Sequence, residues 1–172
     1  MTDADAKTQL LQLLEPVLGA VVDADVRAAT DEAGAATVRE RLEAALPFES
    51  EAIQSIGTQI RRGVAEGWLC DRGEPDARFS RVAKPTDATR QLSIDVVALQ
   101  GPALAHRHPA GEVTLAFAAD DGEAGRFDGH PPGWVVMAAG STHTPTVTGP
   151  RMHLLYFLPG GEVDWNPGET AT

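Results

Sequence analysis

The sequence predicts a mainly β protein: a small antiparallel sandwich or barrel preceded by an N-terminal α-helical segment. Three observations lead there. The chain has 172 residues, which at roughly 100–200 residues per domain holds one domain with at most a small appendage. Its content of 42% hydrophobic and 23% charged residues supports a real core and is too apolar for a disordered chain. Near residue 70 the apolar period changes from three-to-four to two, and Gly, Pro and Asp clusters then separate short β-rich runs. Such frequent turn signals fit antiparallel strands better than a parallel α/β sheet. The expected division is a helical segment over residues 1–72 packed on a barrel over residues 73–166, with a frayed tail over residues 167–172.

In the helical segment, Leu10, Leu11, Leu14, Leu18, Val21 and Val22 recur at helical spacing, and Pro16 is expected to end or kink that helix. Thr37-Val38-Arg39-Glu40 then has the spacing of a capping box ahead of Leu42, Ala45 and Leu46, and Pro47 stops the helix it predicts. A third helix follows Ser50, with Ile53, Ile56, Ile60, Val64 and Trp68 on one stripe and Gly67 near its end. The expected strands cover residues 79–83, 91–99, 103–108, 112–118, a short piece at Arg126 and Phe127, 134–137, 144–147 and 151–158.

The chain carries 14 basic and 25 acidic residues, a net charge of −11, so its average field repels phosphate backbones and anionic lipid surfaces. Nucleic acid and membrane are therefore excluded as expected partners. An acidic N-terminus, no apolar run near the ~20 residues of a membrane span, and a single cysteine, Cys70, predict a cytoplasmic protein without disulfides.

His106 and His108 are separated by one residue on an expected strand, so both imidazoles project from one face. Pro109-Ala110-Gly111 turns the chain and Glu112 opens the next strand, where its carboxylate can swing back to the pair. His143, which opens a later strand after Gly140, is the candidate fourth ligand. Three imidazole nitrogens and one carboxylate oxygen suit one divalent transition metal ion, Fe, Mn, Zn, Ni or Co, without choosing among them. If Glu112 points inward, so do Thr114 and Ala116, while Val113, Leu115 and Phe117 point out and need a cover from the helices or a second subunit. A homodimer is the corresponding expectation.

This pattern, His-x-His, three residues, Glu, and later Gly-x-x-His, resembles the two motifs of the cupin superfamily. The resemblance implies a double-stranded β-helix barrel with His106, His108, Glu112 and His143 as its metal ligands. Ala138 and Val147 stand where the second motif usually has proline and asparagine, and Gly122 arrives late after the first. Further segments extend the resemblance over nearly the whole chain: Gly67-Trp68-Leu69-Cys70-Asp71-Arg72, Arg81-Val82-Ala83-Lys84-Pro85, Ser93-Ile94-Asp95-Val96-Val97, Arg126-Phe127-Asp128-Gly129, Pro132-Gly133-Trp134 and Pro145-Thr146-Val147-Thr148-Gly149. Together these look like the p-hydroxylaminobenzoate lyase family, whose members convert 4-hydroxylaminobenzoate to 3,4-dihydroxybenzoate and ammonia.

That resemblance implies a small aromatic acid as substrate and a metal that acts as Lewis acid. The benzoate carboxylate then needs a local cation, with Lys84 first, because it closes a strand in the resembling segment, and Arg72 and Arg81 behind it. Two other functions use the same ligands: an Fe(II) dioxygenase of a small aromatic or thiol substrate, which needs oxygen, and a metal- or ligand-binding module without catalysis. Weaker candidates have ordinary readings: Cys70 as a small buried hydrophobe, Trp134 and Phe127 as packing, Asp95 as a solvent-side residue, His130 as a solvated turn residue and His153 as a satisfied core residue.

Overall fold

The computed structural model describes residues 1–167, so all but the first residue of the expected tail lies outside the described residues. Thr2 opens α1 (Asp3–Ala24) with a reciprocal cap. Its hydroxyl accepts from the Asp5 amide at 3.1 Å, and the Asp5 carboxylate accepts from the Thr2 amide at 3.0 Å. The helix buries Ala6, Leu10, Leu14, Val17, Leu18, Val21 and Ala24 and runs through Pro16 to Ala24, so of the expected end or kink at Pro16 the end is ruled out. Pro16 is exposed, and so is Gln12, whose carbonyl loses its partner. That carbonyl is left on the solvent side while the buried stripe opposite holds the helix together.

After a 3₁₀ turn (Val26–Ala28), α2 (Glu32–Ala45) begins ahead of the Thr37 box. Asp31 is its cap, accepting from the Gly34 amide at 2.7 Å, while the Thr37 hydroxyl turns back to the Ala33 carbonyl at 3.1 Å. The buried stripe of Ala35, Val38 and Leu42 extends a turn further upstream than the box allows. Ser50 caps α3 (Glu51–Glu66), and Gly67 closes it in the left-handed region with its amide on the Gly63 carbonyl. Here the expected boundaries and the Ile53, Ile56, Ile60 stripe agree with the structure.

The strands are β1 (Arg72–Glu74), β2 (Ala77–Ala83), β3 (Leu92–Pro102), β4 (His106–His108), β5 (Glu112–Ala118), β6 (Arg126–Phe127), β7 (Gly133–Met137), β8 (Ser141–His143) and β9 (Thr146–Pro159). All pair antiparallel. The large sheet runs β1-β2-β3-β9-β5-β7, with β6 also on β9, and β4 and β8 form a second sheet. Strand β1 was not expected, and the expected strand over 103–108 shortens to β4. The expected strand over 144–147 is divided: Thr144 and Pro145 interrupt it, and Thr146 begins β9. Pro145 has no amide to give a ladder, and its carbonyl instead accepts from the Ala103 amide at 2.7 Å.

One face of the large sheet, including Ile94, Val96, Val113, Leu115, Phe117, Leu155 and Phe157, shares a single apolar cluster with the three helices. The other face gathers Leu99, Ala116, Val135, Met152, Leu154 and Tyr156 with Phe127 and Val147. The parity expected of β5 therefore holds, and the helices supply the cover for its outer face. A Cβ on Gly57 would lie 2.7 Å from the Phe117 ring, so the backbone of α3 rests directly on β5. No helix among the described residues is long and apolar enough to cross a membrane.

Candidate metal centre

The pairing of β4 with β8 sets His106 opposite His143 and His108 opposite Ser141, so three imidazoles share one face of a two-stranded ladder. The turn after β4 returns the chain to Glu112 at once. Its Gly111 has φ 81 and gives its amide to the His108 carbonyl, and a Cβ there would meet Val26 Cγ2 at 2.8 Å and the Met137 carbonyl at 3.0 Å. Only glycine fits that close approach. The Gly140 amide reaches the same His108 carbonyl at 2.7 Å, which ties the turn before β8 to the turn after β4.

The result is convergence. His108 Nε2 is 2.9 Å from both His106 Nε2 and His143 Nε2, and 3.3 Å from Glu112 Oε2. One ligand atom from each of the four lies within 4.8 Å of the others. Burial pushes the His108 imidazole down to about 3, with His106 and His143 adding to it, and burial also lowers His106. Burial raises the Glu112 carboxyl to about 8 despite the hydrogen bond that Thr114 Oγ1 donates to it at 3.0 Å. Unprotonated imidazoles and a carboxylate that lacks a buried countercharge are a donor set that a divalent transition ion completes. The residues present fit such an ion.

The backs of the rings differ. His106 Nδ1 is 2.9 Å from the Leu104 carbonyl, and His143 Nδ1 is 2.7 Å from Asp128 Oδ2. His108 Nδ1 is buried without a partner among the described residues. Trp165 stands over His106, with ring centroids 4.8 Å apart, and stays 59% exposed. It is held there by the backbone of Asp164, which exchanges two hydrogen bonds with Arg107 of β4.

Register connects the centre to the far edge of the large sheet. Arg81 pairs with Asp95, Asp95 with Tyr156, and Tyr156 with Thr114, two residues from Glu112 and on its face. Arg81 Nε also donates to Asp95 Oδ1 at 2.9 Å. Tyr156 is 8% exposed, and burial, then Glu112, Asp128 and Asp95, hold its phenol well above its ordinary value. Of the three expected cations, Arg81 and Arg72 thus share the face of Glu112, Arg81 in the nearer row. Arg72 pairs with Phe79 one row further away and lies over its ring, and Lys84, ranked first from the sequence, is exposed past the end of β2.

Other candidates resolve as packing or as bystanders. Cys70 is buried, and burial lifts its thiol to about 11, so it is an inert apolar group. Trp134 packs with the helices and donates to the Leu46 carbonyl, while Phe127 is fully buried between His143 and Tyr156. Asp95, read as solvent-side, is half-buried between Arg81 and Ser93 on the ligand face. His130 lies by Arg39, apart from the ligands, and His153 is buried on the helix-facing side with Nδ1 lacking a partner among the described residues. A surface depression of about 530 Å³ between the start of α2 and the β7–β8 turn includes none of the four ligands.

Sequence reasoning missed Asp128, Tyr156 and Trp165 as neighbours of the centre. Asp128-Gly129 is readable as a turn, which accounts for the positive φ of both residues, but not for where the carboxylate points. Tyr156 interrupts the apolar run of β9 with one hydroxyl, a signal that was available.

The family model for 4-hydroxylaminobenzoate lyase, PnbB, matches residues 22–165. A 4-hydroxylaminobenzoate lyase of Pseudomonas putida is 32% identical over 134 residues, spanning 69% of this chain and 76% of that protein. Another, from Nocardioides sp. (strain LMS-CY), is 27% identical over 125 residues, spanning 68% and 74%. Among solved structures, an RmlC-like cupin protein from Ralstonia eutropha JMP134 is 15% identical, covers 55% of this chain and 71% of its own, and superposes with a TM-score of 0.39. Since the matched region runs from the end of α1 to Trp165 and takes in all three histidines and Glu112, this chain belongs to the 4-hydroxylaminobenzoate lyase family.

Proposed function

We propose that the protein is a metal-dependent lyase converting 4-hydroxylaminobenzoate, or a closely related small aromatic acid, to 3,4-dihydroxybenzoate and ammonia. The observation that carries this reading is the buried cluster of His106, His108, Glu112 and His143 in a chain of this family. The conversion takes up one water and releases one ammonia. It needs no external oxidant, because the N–O bond is itself the oxidant: on cleavage the nitrogen accepts the two electrons that oxidation of the ring carbon gives up. A divalent ion held by the four side chains would supply Lewis acidity toward the hydroxylamino oxygen or a bound water.

The chain's own residues do the rest. Burial of His108 and Glu112 keeps bulk water from the ligand atoms. Tyr156 retains its phenolic proton and so offers a hydrogen-bond donor on the ligand face. Arg81 gives the substrate carboxylate the local cation that a net charge of −11 otherwise denies it, and its pairing with Asp95 orients the guanidinium.

The test is anaerobic turnover of 4-hydroxylaminobenzoate by metal-loaded protein, with ammonia and 3,4-dihydroxybenzoate measured together. Equal yields of the two without oxygen support the lyase. An absolute need for oxygen points instead to the dioxygenase, and binding without product points to the binding module. In the same assay Arg81→Ala is expected to raise KM about tenfold while Lys84→Ala leaves it unchanged; the reverse would return Lys84 to the site.

A further inference from the structure

We infer that Asp128 fixes which nitrogen of His143 carries the proton and is thereby the positioning residue on which metal affinity turns. The inference rests on the reading that the four side chains hold a metal. Asp128 Oδ2 lies 2.7 Å from His143 Nδ1, and its other oxygen, Oδ1, accepts from the Thr146 amide at 2.9 Å. A carboxylate accepts and does not donate, so Nδ1 carries the proton and Nε2 turns its lone pair toward the ligand cluster.

The hold is rigid for a reason in the backbone. Asp128 sits at φ 49, in the left-handed region, and its own amide donates to the Thr146 carbonyl at 2.9 Å. Residue 128 is therefore fastened to residue 146 through main chain and side chain at once. Among the three histidines, only His143 has an anion behind it: His106 uses a carbonyl, and His108 has no partner among the described residues. That anion orients the His143 ring from behind.

The two-point hold has a consequence that a purely structural carboxylate would not have. In Asp128→Asn, the Thr146 amide still demands an oxygen, which orients the new side chain with its NH₂ group toward His143. That group donates to Nδ1, drives the ring proton to Nε2, and blocks the lone pair that a metal needs. Asp128→Ala only releases the ring, but it leaves the Thr146 amide without its acceptor. The isosteric variant is thus expected to harm metal binding more and stability less than the truncation does. A merely structural role predicts that the truncation is worse on both counts.

The experiment uses the full chain, stripped of metal by a chelator, as wild type, Asp128→Asn and Asp128→Ala. Ring-nitrogen NMR at alkaline pH reads the His143 tautomer, competition with a chromophoric chelator reads the Kd for zinc, and thermal unfolding of the metal-free protein reads Tm. The expected result is an Nδ1–H tautomer in the wild type and an Nε2–H tautomer in Asp128→Asn. Zinc binding should weaken by roughly 10–100-fold in Asp128→Asn and by less in Asp128→Ala, which alone should show a lowered Tm. An Nε2–H tautomer in the wild type, or a loss of affinity in Asp128→Ala as great as in Asp128→Asn, overturns the inference. If the wild type takes up no zinc, the metal reading fails, and the tautomer measurement still decides what Asp128 does to His143.

Discussion

Each of the five histidines takes its role from what lies behind its ring. Three aim Nε2 at one point; His153 faces the helices instead, and burial, reinforced by Arg61 and Arg151, holds its imidazole at about 4. Its ordinary value in an open chain is about 6.5. Between those pH values the unfolded chain binds a proton that the folded one refuses, so stability falls as pH drops from about 6.5 toward 4 and is fully present above that window. The whole shift corresponds to about 3 kcal/mol. Urea unfolding of metal-free wild type and His153→Leu at neutral pH and near pH 4.5 measures it: the wild type should lose about 2–3 kcal/mol more than the variant. Parallel losses would show that His153 does not carry the effect. The clustering of the four side chains was legible because His-x-His, Glu and the later His follow from strand parity and donor chemistry within short stretches. Asp128 was not, since its meaning comes from two contacts, His143 and Thr146, that a turn motif does not disclose.

At the scale of elements, the contrast between α2 and α3 shows where sequence rules decide and where they compete. Ser50 and Gly67 bracket α3 with no rival signal, and the helix lies between them. In α2 two caps compete, and Asp31 prevails over Thr37 because the stripe that packs begins upstream of the box. Asp31→Ala is expected to cost about 1 kcal/mol, whereas Thr37→Ala should change stability by less than about 0.5 kcal/mol. Chemical denaturation of the two variants checks the order, and a larger loss at Thr37 would contradict it. The helix does not end at Pro16 for a related reason: a local penalty is real, but a long buried stripe with the proline on its wet side outweighs it. Strand β9 was underestimated because its length is set by three different partners, β3, β5 and β6, which no local pattern reveals.

Across the whole molecule, the helices and the outer face of the large sheet share one core, while the inner face carries Glu112, Tyr156 and the Arg81–Asp95 pair and meets the three histidines of the β4–β8 ladder. That division lets one surface of a sheet supply stability and the other supply chemistry. The strongly acidic chain sets Arg81, held by Asp95, on that inner face, with Arg72 one row further out. The proposed function rests on a metal that the four clustered side chains could hold. Its most direct test is metal content per chain, by plasma mass spectrometry on tag-free protein, for the wild type and for His106→Ala prepared identically, with ammonia release from 4-hydroxylaminobenzoate followed in both. The account predicts near-stoichiometric transition metal in the wild type, loss of that metal in His106→Ala, and ammonia release that falls with it. Metal retained by the variant, or ammonia release that survives metal removal, would contradict it.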